Sequence, residues 1–147
     1  MLRLARYWLV VLLVLACSAA AFARDTFHDL DAAKARAEGH GHENLLAVPL
    51  FMAGAPHAAI ASDLGVFTSN RRTNAAGKSD EEACQIAFLS ALISLQSRAQ
   101  ALGADAVVDI RSITKHNDLE SATQYRCVAG NIVANVALQG RMVKLKK

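Results

Sequence analysis

Apolar and polar positions change period along this chain, and the change divides it into elements. Between residues 84 and 102 the apolar positions recur at about 100° per residue. Cys84, Phe88, Ala91, Leu92, Leu95, Ala99 and Leu102 fall on one side, which predicts an amphipathic helix over 80–102 with that side toward a core. Its start is marked by Ser79 and Glu82 in the spacing of a capping box, with Asp80 and Glu81 in the first turn, and its stop by Gly103. A second apolar patch, Ile86, Leu89 and Ile93, lies almost opposite the first. It needs a cover, either the N-terminal segment or a second copy of the chain in a homo-oligomer. Ser90, Ser94 and Ser97 line one boundary between the two faces and Gln96 the other.

Elsewhere the period falls to two. Ala106–Thr114 reads as a strand, with Val108 and Ile110 on one face and Asp109 and Arg111 on the other. Lys115–Glu120 reads as a polar hairpin loop. In Ser121–Val128, Thr123 and Tyr125 share a face with Cys127. The apolar parity then moves to Ile132, Ala134, Val136 and Leu138, which predicts a bulge or bend at Ala129-Gly130. Residues 141–147 add a last strand turn and a basic tail.

Upstream, Asp29–Glu38 is rich in helix formers and ends at Gly39 and Gly41, so a short helix is expected after an extended Arg24–Thr26. Leu45–Met52, interrupted by Pro49, reads as an edge strand. Gly54–Ala61 reads as a loop, Leu64–Ser69 as a strand, and Asn70–Lys78 as a basic loop. Together these predict an α+β fold: one long helix packed on a small antiparallel or mixed sheet, with a short N-terminal helix.

The N-terminus has the order of a secretory signal. Arg3 and Arg6 precede an apolar centre at Trp8–Ala16, and Ala21-Phe22-Ala23 gives a small–any–small cleavage pattern. Cleavage after Ala23 leaves residues 24–147 as one domain, without a stable membrane span, in the periplasm or outside the cell. The alternative is lipidation at Cys17, although Val14 and Leu15 match a lipobox poorly. Cleavage also removes Cys17 and leaves the even pair Cys84 and Cys127, which in an exported chain suggests a disulfide between helix and sheet. The full chain has a formal charge of +3, and two of its basic residues sit in the signal. The mature chain is therefore nearly neutral. Bulk electrostatics gives it no reason to bind nucleic acid, and few aromatics are available to stack bases.

Candidate chemistry is sparse. Gly77-Lys78-Ser79 resembles the end of a phosphate-binding loop, but the position five residues before Gly77 is Arg72, not glycine. Arg71, Arg72 and Lys78, expected beside the N-terminus of the long helix, are a weak anion site. His40 and His42 flank a glycine, with Glu43 next and His28 and His57 as further candidates; they are a weak metal site without rigid spacing. His116 reads as an exposed loop residue. No nucleophile has a supporting base nearby in sequence, so no catalytic set and no cofactor are expected.

Ser79-Asp80-Glu81-Glu82-Ala83-Cys84, Ala87–Leu92, Leu102–Ile110 and Cys127-Val128-Ala129-Gly130 resemble a family of short exported bacterial proteins labelled "excinuclease ATPase subunit". That label implies DNA-repair ATPase work, which an incomplete phosphate loop does not supply. The helix followed by Leu102–Val108, a strand and a hairpin more distantly resembles the YbjQ-like heavy-metal-binding fold, which implies ring oligomers. It also resembles the RcsF-type signalling domain of envelope-stress lipoproteins, which implies a disulfide-stapled sensor. The expectation that follows is a non-catalytic exported module that binds or senses an envelope protein or small ligand. The alternative is a small periplasmic metal- or anion-binding protein.

Overall fold

A computed structural model describes residues 24–147; the expected signal, with Cys17, lies outside the described residues. These form six strands and two α-helices, an α+β fold on a mixed sheet. The strands are β1 (Thr26–Asp31), β2 (Leu50–Met52), β3 (Ile60–Asn74), β4 (Ala106–Ser112), β5 (Gln124–Ala129) and β6 (Val133–Leu145). Helix α1 spans Ala32–Glu38 and α2 spans Asp80–Ala101.

β6 is the spine of the sheet. On one side it pairs antiparallel with β3 along its whole length. On the other it pairs first with β5 and then with β4, which carry β1 and β2 beyond them. Only β2 runs parallel to its neighbour. Where β6 exchanges one partner for the other, the ladder opens, and two buried hydroxyls fill the gap. Thr114 Oγ1 donates to Arg126 O at 3.0 Å and accepts from Ala137 N at 3.0 Å, while Ser112 Oγ accepts from Arg126 N at 2.8 Å. Backbone groups at the fork, which would otherwise be buried without partners, are thereby satisfied.

α2 covers one face of this sheet. The Ser79 hydroxyl accepts from Glu82 N at 3.1 Å, and Gly103 ends the helix in a left-handed conformation. Cys84, Phe88, Ala91, Leu92, Leu95 and Ala99 are buried against Tyr125, Val136, Leu138 and Met142, whereas Leu102 is exposed. Gly140 allows the close approach: a Cβ there would stand 2.7 Å from Val107 Cγ1 and 3.4 Å from Leu95 Cδ1. The Cys84–Cys127 disulfide joins the first turn of α2 to β5 across 5.8 Å between Cα atoms.

Several expectations about boundaries are corrected. Asp29, Leu30 and Asp31 belong to β1, not to a helix. They pair with β5, and Asp31 caps α1 by accepting from Lys34 N at 2.7 Å. In Leu45–Met52 only Leu50–Met52 is strand. Leu46 and Val48 instead lie along α2, where the buried Gln96 amide binds Leu46 N, Leu46 O and Val48 O at 2.8–2.9 Å. β3 takes in Ile60, Ala61 and Asn70–Asn74, all read as loop, because β6 is long enough to pair them. Val108 and Ile110 do not share a face. Asp109 adopts a φ of 52° in a bulge, so Ile110 faces α2 while Val108 joins Ala106 and Val143 in a small cluster on the other face. The parity change after Cys127 is a chain reversal, not a bulge within a strand. Gly130 N donates to Val133 O at 2.9 Å, and Ile132 is exposed at the tip.

Candidate functional site

Among the described residues, the face of the sheet opposite α2 carries no α-helix. Its floor is two neighbouring rows: Thr68, Asn70 and Arg72 of β3 stand opposite Gln139, Ala137 and Asn135 of β6. Ile113 and Val128 give an apolar side, and the Lys115–Asp118 loop closes one end. The result is an open cleft of about 720 Å³. A second depression of about 400 Å³ continues from it past Arg111 and Gln139 toward Asp109 and Arg141. Ala137 sits between longer side chains, so its methyl marks a low point of the floor.

Most cations on this face are already neutralised. Arg126 makes a two-pronged contact with Asp29 at 2.7 and 2.8 Å, which lowers the Asp29 pKa and raises that of Arg126. Arg141 binds Asp63 and reaches Asp109 at 3.4 Å; its pKa is raised, chiefly by the bond to Asp63. Arg111 is held by Glu120 and Gln139, each at 3.0 Å, and Lys115 by Asp25. Arg72 differs: among the described residues it has neither a carboxylate nor a hydrogen-bond acceptor. Beside it the Asn135 amide nitrogen donates to Asn70 Oδ1 and to Arg71 O, the latter at 3.0 Å. Among the described residues, the amide N–H groups of Asn70 and Gln139 and the Thr68 hydroxyl have no protein acceptors; only the amide oxygens of Asn70 and Gln139 are engaged. The cleft therefore offers several donors around one uncompensated guanidinium.

The residues singled out in the sequence do not gather into one place. Arg71 and Arg72 point to opposite faces of β3, and Arg71 Nη2 donates to Ser94 Oγ of α2 at 2.9 Å. Lys78 lies in the turn before α2, so the three do not form one anion site. The first turn of α2 is itself occupied: Arg24 and His28 hold Asp80 at 2.8–3.2 Å, Lys34 holds Glu81 at 2.8 Å, and His40 lies 3.9 Å from Glu82. The Asp80 pKa is lowered, first by the Arg24 hydrogen bond. His42 Nδ1 lies 2.9 Å from Gly39 O, and His57 Nδ1 lies 2.8 Å from Ala58 O. Among the described residues no three His, Cys, Asp or Glu side chains converge as metal ligands. Leu89 is buried beneath Gly39, while Ile86 and Ile93 are half-buried.

Asn70, Asn135 and Gln139 were not singled out in the sequence. The available signal was their position on the polar parity of strands whose other parity is apolar, a pattern shared with any wet sheet face. No helix among the described residues is long and apolar enough to cross a membrane. Among the described residues, the fold and the site thus define an α+β protein with one sheet face sealed by a stapled helix and a polar cleft open on part of the other. No family model, curated protein or solved structure gives a match to this chain.

Proposed function

We propose that this protein is a non-catalytic binding module that works in an oxidising compartment outside the cytoplasm, with its ligand site on the open face of the sheet. Residues 1–23 act as a signal removed after Ala23, and 24–147 form the working domain, one long helix on its sheet. The observation that carries the reading is the uncompensated Arg72 in a donor-lined cleft, on a face where Arg111, Lys115, Arg126 and Arg141 all have carboxylate partners. A bare guanidinium among free amide donors is chemistry for holding a solute. The buried Cys84–Cys127 bond is consistent with export, because such bonds persist outside reducing compartments.

The test is a titration followed by backbone amide resonances, using short peptides, amino sugars and nucleotides in turn. At least one class should shift amides of residues 68–72 and 135–139 in a saturable way. Shifts confined to the α2 side, or none with any class, would reject the site. Fractionation of the native cell checks compartment: a full-length cytosolic product with free thiols would reject export.

A further inference from the structure

We infer that the open-face cleft takes the free carboxylate end of a peptide-like ligand whose last side chain is small and apolar; this rests on the binding role proposed above. The charge balance points to a singly charged acid. Arg72 presents a planar fork that fits a carboxylate by two parallel hydrogen bonds. The cleft is lined by Arg72, Arg111 and Lys115 against Asp25 and Asp118, a balance of one positive charge that a carboxylate matches and a doubly charged phosphate overshoots.

The spacing points to a peptide. Residues on one face of a strand recur about every 6.6 Å, the same two-residue repeat as an extended peptide. With a carboxylate at Arg72, the adjoining register pair is Asn70 and Ala137, and the next is Thr68 and Gln139. The free N–H groups of Asn70 and Gln139 lie one such repeat apart along the strands, placed to donate to alternate backbone carbonyls of the ligand. Ala137 leaves room for a methyl-sized side chain, and Val128 and Ile113 provide its apolar contact.

Calorimetry and amide-shift titration of the purified disulfide-bonded protein with acetyl-Ala-Ala-Ala, its C-terminal amide and inorganic phosphate test this. The acid should bind about tenfold tighter than the amide, the gain expected from one charge-assisted pair. Arg72→Gln should abolish that preference. Arg71→Gln removes the same charge one residue away on the opposite face and should leave it intact. Equal binding of acid and amide, tighter binding of phosphate, or a preference that survives Arg72→Gln would overturn the inference. Failure of the acid, while another solute class still shifts residues 68–72, would overturn the ligand class alone. Silence of the whole face to every class would overturn the site as well.

Discussion

Tyr125 carries its hydroxyl into the core with no hydrogen-bond partner among the described residues. The ring is fully buried and stacks on Phe88 with centroids 3.8 Å apart. Burial also pushes the phenol pKa up, so the group stays neutral. An unpaired buried hydroxyl costs free energy while the ring gains it. Tyr125→Phe is therefore expected to leave stability unchanged or raise it by up to about 1 kcal/mol in urea unfolding. Asp80 makes the opposite kind of contribution. Its folded pKa lies below the ordinary carboxylate value, so its contribution is present above that value and is lost as pH falls through the lowered one. Asp80→Asn should be less stable than wild type at neutral pH. Its stability should also fall less steeply than that of wild type below about pH 4, as followed by circular dichroism.

At the scale of elements, the fork in the β6 ladder is the most exacting join. Thr114 fills it with one hydroxyl that both donates and accepts. Thr114→Val keeps the shape and strands the buried Ala137 N–H, at an expected cost of about 1–3 kcal/mol, with faster hydrogen exchange at Ala137 as the local signature. Nothing in the sequence marks this role: Thr114 reads as the end of the strand 106–114, whereas the strand stops at Ser112 and Thr114 turns its hydroxyl into the fork. Helix α2 was legible for the opposite reason: Ser79, the first-turn acids and Gly103 are local signals that the tertiary structure had no cause to override. β3 was legible only in its middle. Asn70, Arg72 and Asn74 sit on a wet face at the sheet edge, so no apolar alternation reports them, and their strand state depends on a partner far away in sequence. The same cause hid the candidate site. By its sequence Arg72 reads as a basic residue in a loop beside a helix terminus, whereas pairing with Asn135 turns it onto the opposite side of the sheet from Arg71.

Across the whole molecule, the sealed face is held by α2 and by one covalent staple. The Cys84–Cys127 link spans 43 positions, and replacing both cysteines by alanine should cost about 2–4 kcal/mol in denaturant unfolding while keeping the helix content at low temperature. An unchanged midpoint would show that packing alone sets the stability. β6 gives the molecule a further property. Of the six strands, the one that touches β3, β4 and β5 leaves the ribosome last, and β3 has no other neighbour in the sheet. A partial chain ending before residue 133 can pair β1 with β5 and β2 with β4 but cannot join those two ribbons into one sheet, since the loop-closure entropy is recovered only when the central partner arrives. Until β6 has been made, β3 has no strand to pair with and β4 and β5 have no common neighbour, so the sheet closes in one late step.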